Sequence, residues 1–369
     1  MTKIGMSIDE LETPCMLVDL DKLEANIAKW QATIAANGVA LRPHVKTHKV
    51  PEIGQMQIAA GAAGITVAKI SEAEVFAEGG INDIFVAYPT IGASKWKRAA
   101  ELARSITLTV GVDSLVGIEG LSAAAQEAGS TIRVRVEVDT GLNRSGVQPG
   151  EAEALCRAVL AAPNLELDGL FTFRGPNFPG ANGRSADELG REEGQIMVDL
   201  AEELRSSGIP IKQISVGGTP TSRAAATVPG VTEVRPGTYV FSDWMMTAGG
   251  VVSEDEVALQ ILCTVVSRPA PDKATVDGGS KTFSGDSIPA KNGVPGYARA
   301  VGYDAYVETM SEEHGVLRLG EGVDLKIGQR IGFHPLHVCP TVNLSDELIG
   351  VRNGVVEKVW PILARGKRS

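Results

Sequence analysis

A (β/α)8 barrel of the TIM type followed by a smaller, mainly antiparallel β domain is the fold this sequence predicts, and three observations predict it. From Leu11 to about Val240, short apolar runs rich in Val and Ile alternate with helix-length amphipathic stretches that open on Asp, Ser or Pro. The runs number eight, which means a barrel before it means an open sheet. After Gly249-Gly250 the rhythm changes to strand-like runs joined by Pro and Gly turns, with no long helical stretch. The expected division is a barrel over residues 12–248 and a β domain built from 1–11 and 249–369.

The barrel strands are expected near Ala40-Leu41, Gly64–Val67, Asp83–Val86, Ile106–Val110, Ile132–Val138, Leu167–Phe171, Gln213–Val216 and Glu233–Arg235. Helices fall between them at Asp21–Asn37, Ser71–Glu78, Asp113–Ala128, Glu151–Leu160 and Ala186–Ser206, the second opened by a capping-box-like Ser71-Glu72-Ala73-Glu74. The later strands are expected at Val257–Val266, Lys273–Val276, Tyr297–Val301, Arg330–Phe333, Gly350-Val351 and Val355–Trp360, with a further strand from Ile4–Leu17.

At 369 residues and 43 % hydrophobic content the chain can bury a sizeable core. A net charge of -10 without a basic face argues against nucleic acid, so small metabolites are the expected partners. Met1-Thr2-Lys3-Ile4-Gly5 lacks the apolar core of a signal peptide, and no run approaches the roughly 20 apolar residues of a membrane span. A cytoplasmic location is expected, with no membrane partner. The four cysteines lie far apart, and Cys15, Cys156 and Cys263 sit among apolar residues as core cysteines do.

Barrels carry their chemistry at the carboxyl ends of the strands, where Lys46, Lys69, Tyr88, Asp139, Arg144, Arg174, Gly217-Gly218 and Tyr239 fall. Lys46 stands in Arg42-Pro43-His44-Val45-Lys46-Thr47-His48-Lys49, and a lysine crowded by Arg42, Lys49 and two histidines is biased toward its neutral, nucleophilic amine. Of five histidines, two flank Lys46 and the other three (His314, His334, His337) lie close together near the far end, which suggests one site. Gly217-Gly218-Thr219 follows the seventh strand and Arg235-Pro236-Gly237-Thr238-Tyr239 the eighth, the two barrel loops that usually hold a phosphate. Glycines around Arg144 expose its guanidinium toward the barrel mouth, where it suits a ring oxygenate. His337-Val338-Cys339 has i, i+2 spacing, which on a strand puts both side chains on one face for a shared metal.

Taken in order, Thr13-Pro14, Arg42-Pro43-His44-x-Lys46, Gly64-Ile65, Ser71-Glu72-Ala73, Gly141-to-Gly146, Gly217-Gly218-Thr219, Asp277-Gly278-Gly279-x-Lys281, Glu313-His314-Gly315, His337-x-Cys339-Pro340-Thr341 and Ala364-Arg365-Gly366 resemble the fold-type III (alanine racemase-like) pyridoxal-phosphate enzymes. Within them the chain looks like the D-threonine aldolase and D-serine dehydratase-like group, over essentially its whole length. The resemblance implies a homodimer whose barrel holds pyridoxal 5'-phosphate on Lys46, with Arg144, Phe173, Gly217, Gly218, Thr219 and Tyr239 around it. It also implies a divalent metal (Zn, Mn or Mg) on His337 and Cys339, catalytic roles for Lys46, His44 and His337, and a β-hydroxy amino acid as substrate. Cys339 stands where the aldolases carry Asp and the dehydratases carry Cys, a softer donor that leans toward zinc. Phe173 stands where Tyr or His is common.

The expected activity is a lyase on β-hydroxy-D-α-amino acids, cleaving them by retro-aldol chemistry to glycine and an aldehyde. A D-serine or D-3-hydroxyaspartate dehydratase with the same site is the alternative. A racemase would share Lys46 but need a catalytic tyrosine, for which Tyr303 or Tyr306 would have to serve, and a non-catalytic cofactor carrier would not account for the domain after Gly250.

Overall fold

The computed structural model describes residues 3–177, 180–286 and 295–369. The chain divides into two compact units, one of Ala28–Lys46, Pro51–Gly237 and Lys367–Ser369, the other of Met1–Ile27, Thr47–Val50 and Thr238–Gly366. Strand β1 (Cys15–Asp19) lies in the second, and the first is built on β2 (Ala40–Leu41), β3 (Ile65–Val67), β4 (Asp83–Val86), β5 (Thr107–Val112), β6 (Ile132–Glu137), β7 (Leu165–Phe171), β8 (Gln213–Val216) and β9 (Glu233–Val234). These eight run parallel in the order β2-β9-β8-β7-β6-β5-β4-β3. His44 bridges Thr66 in parallel, and the Thr66 N–H donates to the Pro43 carbonyl at 2.8 Å, so β3 also lies beside the chain leaving β2 and the ring closes. The helices of the repeat are α1 (Leu20–Ala35), α2 (Pro51–Ala59), α3 (Ile70–Glu78), α4 (Ala93–Leu102), α5 (Leu115–Ala128), α6 (Ala152–Ala161), α7 (Ala186–Ser206) and the short α8 (Ser222–Ala225).

Each expected barrel strand is present, and on most of them Val, Ile and Leu recur even where a charged or polar residue intervenes. Gly169 on β7 has φ +159°, and a Cβ there would lie 2.0 Å from the Gln213 carbonyl, so only glycine lets β7 and β8 approach. The capping box expected at Ser71 does not form. Helix α3 starts at Ile70 after an uncapped Lys69, while Glu72 turns back to accept the Ala68 N–H at 2.7 Å.

Inside the barrel a chain of buried charges replaces part of the usual aliphatic filling. Glu233 accepts from Arg42 Nε at 2.7 Å, Arg135 Nη1 at 2.5 Å and Ser215 Oγ at 2.6 Å. Arg135 also donates to Asp168 at 2.7 Å, Arg42 to Asp83 at 2.6 Å, and Arg235 to Ser215 Oγ at 2.6 Å. Burial alone would push the Glu233 carboxyl up, but Arg135 and Arg42 outweigh it and hold the group well below the usual carboxylate range. Arg42 is therefore compensated by two carboxylates.

The second unit contains β10 (Leu259–Ala270), β11 (Lys273–Val276), β12 (Ala298–Ala300), β13 (Ala305–Met310), β14 (Gly315–Leu319), β15 (Arg330–Pro335), β16 (Glu347–Arg352) and β17 (Val355–Pro361), with the short helices α9 (Trp244–Ala248), α10 (Ser280–Phe283) and α11 (Val338–Val342). The sheet order is β11-β14-β13-β12-β15-β10-β1-β16-β17, and β11 pairs with β10 as well. All of these pairings are antiparallel except β1 with β16. Leu11, Leu17, Leu262, Ile349 and Val356 form one of its cores. Strands β13 and β14 were not foreseen, because they bury alternate residues and carry Glu308 and Arg318 on their open face.

Candidate active site

Lys46 sits in a 3-10 turn, Val45–Thr47, that continues the chain from β2, and its side chain is exposed while its neighbours Val45 and Thr47 are fully buried. The turn is held because the His44 N–H donates to the Pro236 carbonyl at 2.9 Å and β3 runs alongside. The result is a reachable amine at the carboxyl end of a barrel strand, next to a half-buried His44.

The glycine loop after β8 is shaped by its neighbours. Gly217 has φ +75°, which favours glycine, and the Gly218 N–H donates to Thr221 Oγ1 at 3.1 Å. A Cβ on Gly218 would come within 2.9 Å of the Phe173 ring, so the missing side chain leaves a shallow cradle beside that ring. Thr219 Oγ1 accepts the Gly237 N–H at 3.1 Å and so ties the loop after β8 to the loop after β9. The loop thus leaves room beside the Phe173 ring that could take a phosphate, and the exposed Lys46 carries an amine of the kind that could hold a pyridoxal group.

After β7 the chain sends Phe173 outward and Arg174 inward. Phe173 is 36 % exposed and carries the Arg144 guanidinium 4.9 Å from its ring centre. Arg174 is buried, donating to the Leu189 carbonyl at 2.7 Å and to Glu192 at 3.0 Å, with its own N–H received by Glu193. Glu193 was not anticipated as part of this loop. Burial pushes its carboxyl up, against the N–H groups of Arg174 and Gly217. Its spacing of four from Leu189 and Met197 puts Glu193 on the apolar face of α7, a signal masked by the adjoining Glu192.

In the other unit, His337 and Cys339 do not lie on a strand as their spacing suggested. His337 is the N-cap of α11 and Cys339 stands in its first turn, because the chain turns after β15 ends at Pro335. The two side chains nevertheless interact. Burial lowers the His337 pKa, but Cys339, Asp243 and Asp286 reverse this and push it up to about 10. His337 Nδ1 pairs with Asp286 Oδ2 at 2.7 Å, and Cys339 Sγ lies 3.3 Å from Thr47 Oγ1. Asp243, fully buried, accepts the Val338 N–H at 3.0 Å and caps α9; burial raises its pKa to about 6. Asp243 and Asp286 were missed by sequence reading, since each reaches His337 only through the tertiary fold. Among the described residues no group of three or more His, Cys, Asp or Glu side chains is arranged to hold a metal ion. Tyr239, on the turn Thr238–Val240, is fully buried, and His314 is exposed.

A parallel β/α barrel with a reachable lysine at a strand end, a glycine cradle two loops away in the ring, and an antiparallel β unit define an alanine racemase-like pyridoxal-phosphate enzyme. Residues 18–243 match the family model described as alanine racemase, N-terminal domain, and residues 258–351 match the putative serine dehydratase domain. The chain is 36 % identical to D-threonine aldolase of Arthrobacter sp, covering 98 % of this chain and 95 % of that protein. It is 37 % identical to 3-hydroxy-D-aspartate aldolase of Paracoccus denitrificans (strain Pd 1222), over 98 % and 94 % of the two chains. Among solved structures, D-threonine aldolase from Filomicrobium marinum superposes with a TM-score of 0.90 at 32 % identity, covering 100 % of both chains. The chain belongs to the fold-type III pyridoxal-phosphate family, in its D-threonine aldolase and D-serine dehydratase-like group of lyases. Pyridoxal phosphate is the cofactor this family implies.

Proposed function

We propose that this chain is a lyase that cleaves β-hydroxy-D-α-amino acids between Cα and Cβ, giving glycine and an aldehyde. The observation that carries the reading is the likeness to D-threonine aldolase over both units of the chain, not over the barrel alone. Pyridoxal phosphate, when bound, supplies the electron sink for the carbon left at Cα.

The chain's own residues take the following parts. Lys46 binds the cofactor through its exposed amine, and Gly217, Gly218 and Thr219 receive the phosphate, with Tyr239 as a further contact. Arg144 holds the ring oxygen, and Phe173 braces Arg144 by stacking on it. His44 holds or passes a proton beside Lys46. His337 and Cys339 are the donors for a divalent metal, zinc, manganese or magnesium, which would polarise the substrate β-hydroxyl. The Asp286 carboxylate on Nδ1 supports this part, because it orients the imidazole as a carboxylate behind a ligating histidine does. The reading includes a homodimer and a cytoplasmic location, as the family resemblance implies.

Cysteine rather than aspartate at 339 and the match to the serine dehydratase domain favour dehydration as the second reading. Product analysis of the purified holoenzyme with D-threonine, D-serine and D-3-hydroxyaspartate separates them. Glycine supports the aldolase; a keto acid with ammonia means the dehydratase; no product from any of the three ends the lyase reading.

A further inference from the structure

Lys69 and Tyr88 stand on the barrel rim and take no part in the chemistry described so far. Lys69 lies two residues past β3, with extended backbone (φ −143°, ψ 153°) as it enters α3. The ring order puts β3 between β4 and the chain that leaves β2, so Lys69 rises between Lys46 and Tyr88. Its ammonium sits 3.3 Å from the centre of the Tyr88 ring, which is 43 % exposed.

Among the described residues Lys69 pairs with no carboxylate. The two acids nearest to it on the adjoining helix are committed elsewhere: Glu72 accepts the Ala68 N–H, and Glu74 takes Arg98 through both oxygens at 2.7 and 2.5 Å. Several other lysines of the protein are in ion pairs, Lys212 with Glu166 and Lys281 with Glu313 among them. An ammonium parked on an aromatic face keeps its full charge, and its flexible four-carbon stem lets it leave the ring for an incoming anion.

We propose that Lys69, presented by Tyr88, is a subsite for a second carboxylate, the one on the side chain of a dicarboxylic β-hydroxy amino acid. The inference rests on the lyase reading and deepens it, because Lys69 follows the barrel strand next to the chain segment that carries Lys46, and the second carboxylate is the group on Cβ that tells a dicarboxylic substrate from one with a methyl there. A substrate with a methyl in that place gains nothing from Lys69.

The test uses the holoenzyme and two readouts. The first is kcat/KM for D-3-hydroxyaspartate and D-threonine in wild type, Lys69→Met and Lys69→Arg. Lys69→Met should lose roughly 10- to 100-fold on the dicarboxylic substrate, mainly in KM, and stay within about threefold on D-threonine, while Lys69→Arg keeps most of the preference. The second readout needs no turnover. D-aspartate and D-alanine lack the β-hydroxyl, and their binding is followed by the cofactor's absorption band; the wild-type preference for D-aspartate should fall at least about tenfold in Lys69→Met. An equal loss on both substrates, or none on either, overturns the proposal. Turnover with unmoved selectivity sinks the subsite and leaves the lyase standing, whereas a lost D-aspartate preference in a protein that forms no product from either substrate sinks the lyase and leaves the subsite.

Discussion

Replacing Glu233 with Gln tests whether the charges inside the barrel act as one unit. The carboxylate is 2 % exposed and accepts from Arg42, Arg135 and Ser215 at 2.7, 2.5 and 2.6 Å. Glutamine keeps the shape but removes the charge and turns an NH2 toward one guanidinium. Two arginines then lose a buried anion they share, although Asp83 and Asp168 still hold one side of each. Breaking a buried pair from one side costs about 3–5 kcal/mol, which for a unit of roughly 200 residues is roughly 6–20 °C in Tm. The surface pair Arg157–Glu153, spaced i, i+4, is the control, and Glu153→Gln should cost no more than about 0.5 kcal/mol. The measurement is thermal unfolding at pH 7 by calorimetry. The sign with pH follows from the depressed Glu233 carboxyl: its stabilisation is present above about 4.5 and is lost as pH falls below that, so the gap between wild type and variant should close in acid. A Glu233→Gln melt within about 2 °C of wild type at pH 7 would refute the argument that the arginines depend on this anion.

His334 is 3 % exposed, its Nε2 has no hydrogen-bond partner among the described residues, and burial, with Lys22 and Arg299 nearby, pushes its pKa down to about 4. The unfolded chain takes up that proton first, so stability should fall by up to about 3 kcal/mol as pH drops from about 6.5 to about 4, and His334→Gln should flatten that slope in urea unfolding measured across the range. Gly218→Leu would meet the half-open Phe173 ring rather than backbone, so the fold should tolerate it to within about 1–3 kcal/mol while pyridoxal-phosphate affinity drops at least about tenfold. Unchanged cofactor affinity in the folded variant would move the phosphate away from this loop.

The eight β/α repeats were legible because short Val/Ile-rich segments alternate regularly with helices that carry their own period. That Lys46 and the glycine loop stand at strand ends was legible for a related reason: knowing the strands nominates the residues that follow them. The pairing of β1 with β10 and β16 was only hinted at, since register depends on partners far away in sequence. Strands β13 and β14 were hidden by their charged open face. The H-x-C pair was read on the wrong backbone: i, i+2 spacing describes a strand, but the turn after Pro335 puts His337 and Cys339 at the start of a helix, where they still interact. What only the tertiary structure decided was which charges meet. The pairing of Arg42 with Glu233, of His337 with Asp286 and the placing of Lys69 on Tyr88 join residues up to 191 positions apart or on neighbouring strands. Local sequence encodes backbone period and burial, whereas the compensation of a charge is a sum over neighbours that only folding brings together.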